Sequence, residues 1–197
     1  HDALFAGGEI RSEQELSDLA AAAAPMFKSL PVASPVSMTS KLSERNALWA
    51  ARRGLYTTVA GNRRSGTNAL LEDVVVPVEV LGNTCSDLTK LFDSHGYQDS
   101  VIFGHAKDGN IHFMLNEQFR DPKQLDRYRE FTEEMVQLIL AADGSLKAEH
   151  GTGRIMAPFV SRQFGEELFD VMRQIKRLID PKGFMNPGVL LAEPDTD

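Results

Sequence analysis

At 197 residues, with 42% apolar and 25% charged side chains, the chain has the bulk of one large domain or of one domain plus an appendage. Its 21 basic against 28 acidic residues leave a net charge of −7, which argues against a nucleic-acid binder and against a polybasic membrane-surface module. No run of about 18 apolar residues is present to span a bilayer, and the single cysteine, Cys85, leaves no internal disulfide, cysteine zinc site or iron–sulfur cluster.

The chain opens on His1-Asp2 without a basic leader and reads as a piece of something longer. Residues 1–42 read as a linker followed by an N-terminal helix over 12–30. Ser12 is its cap, with Glu15 three residues on, and Leu16, Leu19, Ala20 and Ala23 share a face. The Pro-containing stretch 30–35 ends it. A second helix is predicted over 43–57 with Ala47, Leu48, Ala51 and Leu55 as its stripe, followed by a polar, basic loop over 61–69. From residue 70 the punctuation becomes regular. A β-branched run over 71–76 ends at Pro77. Val80, Cys85, Leu88 and Phe92 then mark a helix stopped at His95-Gly96. Strands are predicted over 100–106 and 111–116, a long amphipathic helix over 125–142, a fourth strand over 145–149 and a last helix over 168–179. The order over 71–150 is βαββαβ, which predicts an α+β fold: a ferredoxin-like antiparallel sheet with flanking helices. Ile102, Ile111, Phe113, Leu115, Phe131, Met135 and Leu138 are its expected core. The acidic tail 193–197 is expected to be loose.

Asp108-Gly109 suits a two-residue hairpin turn. That register places Ala106 opposite Ile111 and His105 opposite His112, so both imidazoles share one face and can share one metal ion. Phe103, His105, His112, Met114 and Asn116 alternate onto that face, and Ile102, Ile111, Phe113 and Leu115 onto the other. Along 145–149, Leu146 and Ala148 suit the core, which sends Lys147 and Glu149 to the histidine face. His105, His112 and Glu149 then form a two-histidine, one-carboxylate set suited to a divalent metal. The bland reading is a solvent-facing histidine pair. His150 follows where the chain leaves through Gly151-Thr-Gly153, and can project into a cleft. Met156 stands where a dinucleotide fingerprint needs its third glycine. Arg52 is either solvated surface or a clamp for a carboxylate.

Three segments in order carry a resemblance: Gly104-His-Ala-Lys-Asp-Gly-Asn-Ile-His112, Gly144-Ser-Leu-Lys-Ala-Glu-His-Gly-Thr-Gly153 and Asp180-Pro-Lys-Gly-Phe-Met-Asn-Pro-Gly188. Over about residues 45–191 the chain resembles the C-terminal domain of FAD-linked oxidases of the D-lactate and glycolate dehydrogenase type, a group that includes D-2-hydroxyglutarate dehydrogenase. Residues 43–192 are thereby read as the cap domain. The resemblance implies a two-part flavoenzyme. FAD is held mainly by an N-terminal domain of the same polypeptide, absent from this chain, and the cap supplies the site for a small 2-hydroxy acid. It implies that His105, His112 and Glu149 hold a divalent metal, often zinc. It further implies His150 as the base that takes the hydroxyl proton, Asn116 as a polar substrate-side residue, and Arg52, after Trp49 in a W-x-x-R helix, as the carboxylate partner. Ser65-Gly66-Thr67 and Glu72-Asp-Val-Val-Val-Pro77 look most like the larger members, which carry an iron–sulfur domain downstream. Leu71 and Glu72 stand where some relatives carry a lysine, which leans away from hydroxyglutarate and toward a smaller acid.

The favoured function is therefore the substrate cap of a FAD-dependent D-2-hydroxyacid dehydrogenase, inactive when alone, with self-association of the fragment through its open face. The alternatives are a stand-alone metal-dependent hydrolase and a ferredoxin-like small-molecule regulatory module. The expected location is cytoplasmic, with membrane-peripheral attachment left open for the full-length enzyme.

Overall fold

A computed structural model describes residues 12–28 and 39–192 of the chain. The expected linker 1–10, the break at 30–35 and the tail 193–197 lie outside these described residues. The chain divides into two compact units, residues 1–62 and 63–197. None of the helices in the described residues is long and apolar enough to cross a membrane.

Among the described residues, the first unit holds two helices, α1 (Glu13–Lys28) and α2 (Leu42–Asn62). The Ser12 hydroxyl accepts from the Glu15 amide at 3.2 Å, the cap read from the sequence. Leu16, Ala20, Ala23 and Phe27 form the less exposed side of α1. On α2 the expected stripe is largely in water: Ala47, Leu48 and Ala51 are exposed, and the less exposed side runs through Arg52, Leu55 and Val59.

The second unit is a mixed helix and strand structure around a small antiparallel sheet. Its elements are β1 (Asn68–Val75), α3 (Leu81–Ser94), β2 (Val101–His105), β3 (Asn110–Glu117), α4 (Pro122–Ala141), a one-turn α5 (Gly153–Met156) and α6 (Val160–Ile179), which bends at Gly165. The sheet order is β1-β3-β2, with β3 antiparallel to both neighbours. One face carries Leu70, Val74, Ile111, Phe113 and Leu115 toward the core with Leu88 and Phe92 of α3 and Phe131, Met135 and Ile139 of α4. Of the expected core, Ile102 and Leu138 are only partly buried, and the rest are inside. A capping box starts α4. The Asp121 carboxylate accepts from the Lys123 amide, Gln124 answers the Asp121 amide, and Pro122 takes the first turn.

Two expectations fail here. The hairpin register is displaced by two residues, so that Phe103 faces His112 and His105 faces Asn110. The connection is a short 3-10 turn over Ala106–Asp108 closed by Gly109 in the left-handed region (φ +68°), a four-residue loop in place of the two-residue turn. A Cβ at Gly109 would overlap the Val76 carbonyl, and one at Gly104 would overlap the Asn110 carbonyl, so both positions need the missing side chain. A slip of two keeps every side chain on its face, and His105 and His112 still share one.

The fourth strand is reduced to a single antiparallel bridge between Ser145 and Val75. Its amides are taken by side chains instead. Gln163 accepts from Leu146, and the Asp73 carboxylate accepts from Ala148, Glu149 and His150. Side-chain acceptors offered to the backbone compete with a ladder, and here they win.

Candidate functional site

The site stands on the sheet face opposite the core. Central strand β3 sends Asn110 and His112 to it, edge strand β1 sends Asp73, β2 sends Phe103 and His105, and the loop after Ser145 adds Glu149 and His150. Met114 was expected to be part of an open surface here, but it is fully buried: β3 is the middle strand, and Leu71 and Val101 flank Met114 in register on either side. Phe103 is half-buried, its ring 5.3 Å from that of His112. Lys147 was expected on this face with Glu149. With no strand to impose alternation, its ammonium instead pairs at 2.7 Å with Glu72, whose neighbour in register is Phe113 on the core face.

Three imidazoles converge on one carboxylate oxygen. Glu149 Oε1 lies 3.0 Å from His112 Nε2, 3.4 Å from His105 Nε2 and 3.5 Å from His150 Nε2. His112 is almost fully buried, whereas His105, Glu149 and His150 are each about half exposed. The His112 and His150 rings stack 4.8 Å apart and 15° from parallel, and the His105 ring meets His112 edge-on at 5.6 Å.

Two ligand sets fit one ion among the described residues: His105, His112 and Glu149, and Asp73, His112 and His150. In each, the ligand atoms lie within 4.8 Å of one another. The second is already committed. Asp73 Oδ1 accepts from the Asn110 amide group at 2.7 Å, and Oδ2 accepts from the backbone amides of Glu149 and His150 at 2.8 Å each and of Ala148 at 3.2 Å. The first set joins the buried His112 to two half-exposed side chains, His105 and Glu149, and mixes imidazole with carboxylate, a donor set that zinc and similar divalent ions accept. Burial holds the His112 imidazole below its ordinary pKa against the pull of Asp73, which favours the neutral ring a metal requires.

Asp73 is the member of the site that sequence reasoning missed. Its carboxylate is buried, and burial alone would raise its pKa, yet the amides of His150 and Glu149 and the Asn110 side chain hold it below the usual carboxylate range. The legible signal was an aspartate inside the β-branched run Glu72-Asp-Val-Val-Val76, where a charge needs a built set of donors.

The other named residues are placed as follows. Asn116 shares the face but lies four residues beyond His112 on an extended strand, about 13 Å along the chain at 3.3 Å per residue, outside the imidazole cluster; its Oδ1 is buried without a hydrogen-bond partner among the described residues. Arg52 is half-buried on α2 in the first unit. Beside His150 an open cavity of about 360 Å³ is lined by Leu71, Lys147, Thr152 and Arg154 among others.

Residues 3–190 match the family described as FAD linked oxidases, C-terminal domain. The chain is 29% identical over 151 residues to glycolate oxidase subunit GlcD of Bacillus subtilis, covering 76% of this chain and 31% of that protein. It is 31% identical over 161 residues to D-lactate dehydrogenase [cytochrome] 1, mitochondrial, of Saccharomyces cerevisiae, covering 78% and 27%. Against D-2-hydroxyglutarate dehydrogenase of Escherichia coli it is 35% identical over 149 residues, covering 75% and 14%. The chain thus spans less than a third of the length of these relatives.

Proposed function

The chain belongs to the C-terminal domain family of FAD-linked oxidases, and from that premise we propose that it is the substrate-binding cap of a FAD-dependent D-2-hydroxyacid dehydrogenase acting on a small, D-lactate-like acid. One observation carries the reading: in a domain of this family, His105, His112 and His150 converge on the Glu149 carboxylate beside a small open cavity. FAD is held mainly by another domain of the same polypeptide. The finer assignments belong to this reading as well: a ferredoxin-like unit over residues 71–150, an iron–sulfur domain downstream, self-association of the isolated piece and a cytoplasmic enzyme.

Oxidising a 2-hydroxy acid requires a fixed carboxylate, an acidified hydroxyl and an aimed α-hydride. When bound, the flavin supplies the hydride acceptor and a divalent metal, zinc in our reading, supplies the positive charge that acidifies the hydroxyl. His105, His112 and Glu149 are the residues that hold the metal. His150, half exposed at the cavity edge, takes the hydroxyl proton as general base. Arg52 is assigned to the substrate carboxylate, and Asn116 to a polar substrate contact, on the family resemblance alone. Lys147 lines the cavity with its charge already paired to Glu72, which favours a short acid over one with a second carboxylate.

A hydrolase built on the same triad would work without flavin, and a regulatory module would not need the triad at all. The triad itself is tested by metal content after equilibrium dialysis of the chain against zinc. About one equivalent is expected in the wild type and a loss in His105→Ala/His112→Ala. Equal binding by the two proteins would sink the reading.

A further inference from the structure

We propose that Asp73 is the positioning residue of this site: one buried carboxylate fixes the tautomer of His112 and the path of the loop that carries Glu149 and His150. It touches neither substrate nor flavin in this scheme, and acts through the groups that do.

The loop argument is an accounting of amides. Residues 148–150 form no helix and no strand, so their N–H groups have no ladder to satisfy them. All three donate to Asp73 Oδ2, at 3.2, 2.8 and 2.8 Å. Successive amides turned onto one anion form a nest, and charge-assisted bonds of this kind are about twice as strong as neutral ones. The acceptor is rigid in turn, because Asp73 is fully buried on β1 and its Oδ1 is held by Asn110 of β3. Asn110 Nδ2 also donates to the Val74 carbonyl at 3.2 Å. Glu149 and His150 are half exposed, and it is their backbones that the anchor holds.

The tautomer argument concerns His112 Nδ1. This nitrogen is buried with no hydrogen-bond partner among the described residues, and the polar atom it faces is Asp73 Oδ1 at 3.3 Å. A bare lone pair there would confront a buried anion, whereas an N–H turns its positive end toward that anion. The opposite nitrogen, Nε2, lies 3.0 Å from Glu149 Oε1, but that side chain is half exposed and can turn into water, leaving Nε2 to solvent or a metal, whereas Asp73 is buried and pinned. The Nδ1–H tautomer therefore leaves Nε2 as the lone pair, the arrangement of a carboxylate–histidine–metal relay. One side chain thus sets three of the four groups in the cluster. The metal arm of the test below rests on the function proposed above, and the other two arms do not.

On the metal-free, ¹⁵N-labelled chain, long-range ¹H–¹⁵N correlation should show His112 as the Nδ1–H tautomer. The Glu149 and His150 amides should exchange about 100-fold more slowly than in a free peptide despite their exposed side chains. An Nε2–H tautomer, or free exchange at both amides, overturns the proposal without any variant. In Asp73→Asn the tautomer should become mixed, protection at both amides should fall at least about tenfold, and zinc affinity should drop about 10- to 100-fold. If this variant does not fold, the two wild-type signatures decide. Wild-type signatures without zinc binding would refute the metal reading and leave Asp73 as the organiser. Zinc binding unchanged in a folded Asp73→Asn with an unchanged tautomer would do the reverse.

Discussion

Glu72 and Asp73 are neighbours on β1 whose carboxylates go to opposite faces of the sheet, Glu72 beside Phe113 and Asp73 beside His112. Both are buried, and their surroundings displace their pKa values in opposite directions. Burial raises the pKa of Glu72, with Lys147 opposing it only in part. For Asp73 the same burial is overcome by the amides of His150 and Glu149 and by Asn110. By linkage, the contribution of Asp73 is present above its unfolded value, about 3.9, and is lost as pH falls through its lower folded value. The contribution of Glu72 is full below its unfolded value, about 4.3, and is lost as pH rises through its higher folded value. Denaturant unfolding from about pH 3 to 7 should show this. Relative to Glu72→Gln, the wild type should lose stability as pH rises through the folded pKa of Glu72. Parallel pH profiles for the two proteins would contradict the assignment.

The Glu72–Lys147 pair invites a second test. The Glu72 carboxylate is 2% exposed, and one of its oxygens, Oε1, has no hydrogen-bond partner among the described residues. A buried charge left without its partner is expensive, so Lys147→Met alone should cost about 3–5 kcal/mol. Replacing both, Glu72→Met with Lys147→Met, should be neutral or stabilising by about 1–4 kcal/mol. A double-mutant cycle by urea denaturation measures the coupling. A double variant as unstable as Lys147→Met would show that the pair is more than a tolerated burial.

The core makes a simpler demand. Phe113 is fully buried on the central strand, its ring centroid 5.4 Å from that of Phe92 and 6.1 Å from that of Phe131. Phe113→Ala should therefore cost about 3–5 kcal/mol, read as a lowered denaturation midpoint. A cost below about 1 kcal/mol would mean that the aromatic cluster collapses onto the cavity, contrary to its packing.

Much of this was legible, and the failures share a cause. Alternation placed His105 and His112 on one face, and that survived a wrong register because a slip of two preserves parity. Turn length was misread because Asp108-Gly109 also suits the end of a 3-10 turn closed by a left-handed glycine. Glu149 joined the histidines as expected, but through a loop rather than a strand, since what bends residues 148–150 is a side chain more than 70 positions earlier. Local pattern shows that the buried aspartate needs donors but not which distant amides supply them. Met114 was misjudged for a related reason: on a middle strand both faces are covered where neighbours flank it, and the order β1-β3-β2 is a tertiary fact.

Under the proposed function, the chemistry of the FAD-bound enzyme divides between two residues. His150 lies at the cavity edge with its ring stacked on His112, which with His105 and Glu149 makes up the proposed metal set. A base at that position acts on a proton that moves only in the transition state. His150→Ala should then lower kcat about 10²- to 10⁴-fold with little change in KM. Arg52, by contrast, is assigned to a carboxylate that stays charged throughout the reaction, so its bond is present in the ground and transition states alike. Arg52→Ala should raise KM with a much smaller loss of kcat, and Arg52→Lys should recover only part of it, because an ammonium cannot make the paired bonds of a guanidinium. Steady-state kinetics with D-lactate and an artificial electron acceptor separate the two. Near-normal kcat in His150→Ala at its pH optimum would remove His150 as the base and pass that role to a group on the flavin side.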